Sequence, residues 1–201
     1  LETPAHNPVD WAQRYLDLHT PWDRGHAHGE LVARIASGQL APPRTDVRAY
    51  VPGCGRGYDA VALARAGWRV TAVDIVEDLA GPLRAQLEPL GGEFHVGDAL
   101  LPPAGPFELV WEHTFLCALR PDQRSAWARM VHDALVPGGR LAALIFPANK
   151  GPELGGPPWG YDAARLAQWL GEEFELLEAT AVDPTLEPRD WDQAFALFRR
   201  R

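Results

Sequence analysis

The chain has 201 residues, 46% of them hydrophobic and 23% charged, which are the proportions of a folded globular protein rather than a disordered, fibrous or disulfide-rich one. That length holds one well-buried core and leaves two full domains cramped. Nineteen basic against 27 acidic residues give a formal charge of -8, which repels a phosphate backbone, so no nucleic-acid partner is expected.

Taken in chain order, Pro8 to His19 and His28 to Ser37 read as helices, and residues 1–40 form a helical cap segment on a core spanning 41–201, one domain in all. Arg48 to Val51 is a first strand, Tyr58 to Ala66 a helix stopped by Gly67, and Arg69 to Asp74 a second strand. Glu77 to Leu90 is helical but interrupted near its start by Gly81-Pro82, and Glu93 to Val96 is a short third strand. Phe107 to Trp111 follows as a fourth. Pro121 to Leu135 is a helix with proline in its first turn, and Pro137-Gly138-Gly139 turns the chain into the near-continuous apolar strand Arg140 to Phe146.

Pro147 to Gly160 is too rich in proline and glycine for a regular element, and with Trp159 and Tyr161 at its exit it is a candidate substrate-side lid. A helix (Asp162 to Leu170) and two strands (Phe174 to Val182, Ala194 to Arg199) close the chain as an antiparallel hairpin. The alternation predicts an α/β fold: a Rossmann-like, doubly wound, seven-stranded sheet, mostly parallel with an antiparallel C-terminal strand, plus the helical cap. Cys54 and Cys117 have no metal-ligand spacing, so no metal is expected and a reducing compartment is. No apolar run reaches the roughly 18 residues of a membrane span, and Leu1-Glu2-Thr3-Pro4 lacks an export signal's basic start, so the expected place is the cytoplasm, off the membrane.

Val51-Pro52-Gly53-Cys54-Gly55-Arg56-Gly57 sets G-x-G-x-G between a strand and a helix, where missing side chains let a nucleotide approach the backbone. The dinucleotide fingerprint needs its third glycine one place later, where Tyr58 stands, which favours an adenosyl ligand over a nicotinamide one. Asp74 ends the second strand and is placed to accept from ribose hydroxyls. Asp98, after the third strand, reaches the same crevice and suits an adenine amino group.

These residues resemble the thiopurine S-methyltransferase-like family, which includes the thiol and halide methyltransferases. The resemblance is carried by Pro21-Trp22-Asp23-x-Gly25, by V-P-G-C-G-R-G-Y-D from Val51 to Asp59, by Val73-Asp74-Ile75 with Glu77, by Thr114 to Leu119, by Pro137-Gly138-Gly139 and by Phe146-Pro147. It implies a class I fold and S-adenosyl-L-methionine as cofactor, contacted by Gly53, Cys54, Gly55, Gly57, Asp59, Asp74, Ile75, Asp98 and Ala99. It also implies that Trp11, Tyr15 and Trp22 wrap the methionine end, where aromatic faces suit a sulfonium. Family members carry tyrosine or arginine where this chain has His113, which touches cofactor or substrate; His113 and Glu112 are the catalytic candidates. Histidine can polarise or deprotonate a thiol.

The implied reaction moves a methyl group to a small soft nucleophile, a thiol first, then halide or thiocyanate. The protein's task is alignment and exclusion of water, by a monomer or weak homodimer. Two other readings stay open at this point: a non-catalytic adenosyl-binding protein and a nicotinamide-dependent oxidoreductase.

Overall fold

The computed structural model describes residues 9–201. Helices α1 (Trp11–Leu16) and α2 (Gly29–Ala36) precede the first strand, β1 (Arg48–Pro52). Then follow α3 (Tyr58–Arg65), β2 (Arg69–Asp74), α4 (Ala80–Leu87), β3 (Glu93–Val96), β4 (Phe107–His113), α5 (Arg124–Ala134), β5 (Leu135–Ile145), α6 (Ala163–Leu170), β6 (Phe174–Ala181) and β7 (Ala194–Arg200). The seven strands form one sheet in the order β3-β2-β1-β4-β5-β7-β6, with β7 antiparallel to both its neighbours. This is the expected Rossmann-like architecture. The order reverses between β1 and β4, so a crevice opens at the carboxyl ends of these strands, where such sheets bind ligands.

Strand periodicity explains the two cores. Val51, Trp111, Ala142 and Leu144 point to the face covered by α3 and α4. Their neighbours Tyr50, Val110, Leu141, Ala143 and Ile145 point to the face covered by α5 and α6. On α5 the buried residues Trp127, Met130, Val131 and Ala134 recur at i, i+3, i+4 and i+7, one stripe of the helix. The glycine turn, Asp74 and His113 stand at the carboxyl ends of β1, β2 and β4.

Some boundaries differ from expectation. The first helix is shorter than Pro8 to His19, starting at Trp11 behind the cap Asp10, whose side chain accepts from the Gln13 amide; Pro8 itself lies outside the described residues. Gly81-Pro82 does not interrupt α4 but sits in its first turn, where proline's missing N–H costs nothing. Pro137-Gly138-Gly139 lies within β5 as a bulge, because Leu135 pairs with Phe107 before the register shifts. β4 runs two residues past Trp111, and His113 is thereby held in the sheet opposite Leu144. Within the proline-rich loop Pro152–Leu154 makes a short 3-10 turn. The loop is fastened to the rest of the chain by Trp159 N–H to the Cys117 carbonyl at 2.8 Å, Ala148 N–H to the Asp192 carbonyl at 2.9 Å and the Asp192 amide to Asn149 Oδ1 at 3.0 Å, and is closed on itself by Lys150 Nζ to the Pro158 carbonyl at 2.8 Å.

Candidate active site

The turn from β1 to α3 is tied directly to the end of β2. Gly55 N–H donates to Asp74 Oδ2 at 2.8 Å, and Val76 N–H donates to Asp74 Oδ1 at 3.0 Å. Asp74 is 8% exposed, and burial pushes its carboxyl above the ordinary range, only partly offset by the amides of Val76, Gly55 and Ile75. Hydroxyl donors arriving at its remaining lone pairs would stabilise the ionised form. Beside it Ile75 is 63% exposed, and Leu101, beyond β3, is 76% exposed. A large apolar side chain left in water beside Asp74, as Ile75 is, suits a flat ring laid over it. Asp98 is exposed, with Oδ1 accepting from the Leu100 amide at 2.9 Å, whereas Ala99 is buried and its carbonyl accepts from the Tyr50 hydroxyl.

At the glycines, where the sequence leads us to expect room for a nucleotide to approach the backbone, the protein's own groups also come close. Gly53, Gly55 and Gly57 all have positive φ, at 56°, 55° and 76°. The Gly55 amide is spent on Asp74 and the Gly57 amide on the Cys54 carbonyl, while Cys54 N–H bonds the Val73 carbonyl. The room a Cβ would need is held by Phe115 over Gly53, the Tyr15 hydroxyl over Gly55 and Leu83 over Gly57. Missing side chains thus let the protein's own groups close on the turn and lock it to Asp74. The Cys54 thiol, pushed up by burial first and Asp74 second, is not a thiolate.

The three N-terminal aromatics come together over this turn. Trp11 and Trp22 meet edge-on with ring centroids 5.5 Å apart, and Tyr15 meets Trp22 at 6.0 Å. Trp22 Nε1 donates to the Tyr15 hydroxyl at 3.4 Å. Arg56 from the turn lies over the Tyr15 ring at 5.2 Å and pairs with Asp23 at 2.6 Å, which clips the cap to the core. The Arg14 guanidinium sits 5.8 Å from the Trp11 ring and 5.9 Å from that of Trp22. These rings therefore already attract a cation, as a sulfonium requires.

Asp59 and Glu112 are both engaged by the protein's own groups. Asp59 Oδ2 accepts from Trp111 Nε1 at 2.8 Å and binds His113 Nδ1 at 2.7 Å, and its Oδ1 accepts from the His28 amide at 2.9 Å. Burial works to raise its carboxyl, but the His113 ring and these hydrogen bonds overcome it and hold the acid below its ordinary range. Glu112 is 0% exposed; Oε1 accepts from the amides of Phe115 and Leu116 and Oε2 from Trp127 Nε1. The expectation that Glu112 is catalytic is corrected: with three protein donors and no open face, it positions the turn after β4. That turn includes Thr114 at a φ of 60° and delivers Phe115 onto Gly53.

His28 was missed by sequence reasoning beyond its place at a helix start. It caps α2 with Nδ1 accepting from the Glu30 amide, so Nε2 carries the proton and donates to Gln193 Oε1 at 3.0 Å. Its ring meets that of His113 edge-on at 5.2 Å. A histidine at a cap position that serine, threonine or aspartate usually fills was the available signal. Burial first and His113 second push His28 down to about 4, against the pull of Glu187 and Asp59. A depressed histidine stabilises the fold above its unfolded value near 6.5, and that stability is lost as pH falls towards 4. We expect wild-type stability to drop by about 3 kcal/mol more than that of His28→Thr, which keeps a cap, between pH 7 and pH 4. Urea midpoints at the two pH values check this.

Two family models match the chain: thiopurine S-methyltransferase over residues 6–80 and a methyltransferase domain over residues 52–139. Thiocyanate methyltransferase 1 of Arabidopsis thaliana is 32% identical over 181 residues, covering 85% of this chain and 76% of that protein. Probable thiol methyltransferase 2 of the same plant is 32% identical over 158 residues, covering 74% of this chain and 66% of that protein. The chain thus spans two thirds to three quarters of these relatives. Among solved structures, the 1,6-didemethyltoxoflavin-N1-methyltransferase of Burkholderia thailandensis, with S-adenosylhomocysteine bound, superposes with a TM-score of 0.78 at 21% identity, covering 100% of this chain and 93% of that one. The fold is that of the class I S-adenosylmethionine-dependent methyltransferases. Within that class, the chain belongs to the thiopurine S-methyltransferase family.

Proposed function

We propose that this chain, working as one domain, transfers a methyl group from S-adenosylmethionine to a small soft nucleophile, a thiol first and thiocyanate or halide second. The observation that carries the reading is the Asp74 carboxylate, buried at the crevice and clamped by the Gly55 amide, with exposed Ile75 beside it and the Trp11-Tyr15-Trp22 cluster across the turn. Asp74 would take the ribose hydroxyls, Ile75 and Asp98 would flank the adenine, and the three aromatic rings would face the sulfonium. Bound there, the cofactor supplies a methyl group already activated by positive charge. The protein's share is to align the acceptor and exclude water.

The curated relatives named for thiol and thiocyanate methylation support the choice of acceptor. No helix among the described residues is long and apolar enough to cross a membrane. A cytoplasmic protein, monomeric or weakly dimeric, acting on a small molecule without nucleic acid or a membrane, completes the proposal. The test is a methyl-transfer screen with purified chain on alkyl and aryl thiols, thiocyanate, iodide and hydroxylated aromatics. We expect S-methylated product from at least one thiol; turnover confined to hydroxyl acceptors would contradict the reading.

A further inference from the structure

At the carboxyl end of β4 stands a histidine whose two nitrogens are treated unequally. His113 Nδ1 lies 2.7 Å from Asp59 Oδ2, and that carboxylate is itself fixed by the Trp111 indole and the His28 amide. A carboxylate that only accepts sets the proton on Nδ1 and leaves the lone pair on Nε2. Nε2 is buried and has no hydrogen-bond partner among the described residues. A ring nitrogen so enclosed and unmet carries an uncompensated desolvation cost, which a donor on an incoming molecule would recover. The groups around the ring are Asp59 from α3, His28 at the start of α2 and Glu112 from the preceding position of β4. Glu112 is occupied by its own three donors, and His28 has both ring nitrogens engaged elsewhere. Neither can supply Nε2 with a proton.

We infer that His113 Nε2, oriented by Asp59, is the acceptor for the proton of a neutral thiol, so that the preferred substrates are proton-bearing thiols rather than halide or thiocyanate. This rests on the methyltransferase reading above. In the step, the S–H proton passes to Nε2 as a sulfur lone pair forms the new bond to the methyl carbon. The methyl carbon's old bond breaks with its pair onto the sulfonium sulfur, giving the neutral thioether S-adenosylhomocysteine. The imidazolium then releases its proton to solvent. Halide and thiocyanate ions carry no proton and draw no benefit from this base, whereas an alkyl thiol is almost wholly protonated at neutral pH.

The experiment compares kcat/KM for an alkyl thiol and for thiocyanate in wild type and His113→Gln, with S-adenosylhomocysteine binding as the check on folding. The thiol-to-thiocyanate ratio is expected to fall about 100-fold in the variant, the usual worth of a positioned base. A ratio unchanged within threefold overturns the inference while leaving the methyltransferase reading intact. If neither acceptor is methylated by wild type that binds S-adenosylhomocysteine, the underlying reading fails and this one with it. Imidazole nitrogen NMR of resonance-assigned wild type needs neither turnover nor a variant: a neutral form of His113 protonated on Nδ1 is expected, and one protonated on Nε2 overturns the inference.

Discussion

Glu112→Ala should destabilise the protein by about 3–5 kcal/mol, because the Phe115 and Leu116 amides and the Trp127 indole N–H all lose their acceptor inside the core. For a chain of this size that corresponds to a fall in Tm of about 10 °C, measured by calorimetry or thermal fluorescence. Glu112→Gln should cost less, since its carbonyl oxygen can still serve the two amides, but its NH2 group would face the Trp127 donor. The loss should also reach the glycine turn. Glu112 holds the segment that lays Phe115 over Gly53, so a protein that survives the substitution should bind S-adenosylhomocysteine more weakly. A variant as stable as wild type would mean that the carboxylate is not what holds this turn.

Asp74→Ala should weaken S-adenosylhomocysteine binding by about 100-fold or more. Each hydrogen bond to a buried carboxylate contributes about 1.5–3 kcal/mol, and the substitution removes the proposed ribose acceptor together with the anchor for the Gly55 and Val76 amides. Asp74→Asn should fall between, because an amide side chain offers one accepting oxygen and turns a donor towards one of the two amides. Titration calorimetry on the three proteins orders them. Equal affinities would show that the ligand's sugar is gripped elsewhere.

Much of the fold could be read directly. The second strand, Arg69 to Asp74, and the third, Glu93 to Val96, have the bounds expected from their β-branched and apolar runs, since each lies between strong stop signals. The misplaced boundaries lie where proline or glycine is compatible with the element after all, at Gly81-Pro82 in a first helical turn and Gly138-Gly139 in a bulge. Local residue type marks such places without saying which geometry is used.

The site was legible to a different degree. The juxtaposition of Asp74 with the glycine turn was legible because chain spacing alone sets a strand end beside a turn, and the structure joins them by one hydrogen bond. What the glycines make room for was not legible, because Phe115, Tyr15 and Leu83 arrive from distant parts of the chain. The same holds for Asp59, whose partners His28, Trp111 and His113 come from two other segments. Glu112 and His113 are neighbours in sequence, yet strand alternation sends the Glu112 carboxylate to Trp127 on one face of the sheet and the His113 ring to Asp59 on the other. A motif therefore marked the pair as interesting, and only packing separated their roles.

The central claim is an adenosyl site at the carboxyl ends of β1 and β2, and calorimetric titration of the purified chain with S-adenosylhomocysteine tests it most directly. The account predicts one ligand per chain with a Kd of about 1–100 μM. No heat of binding to folded protein with ligand raised to the millimolar range would contradict it.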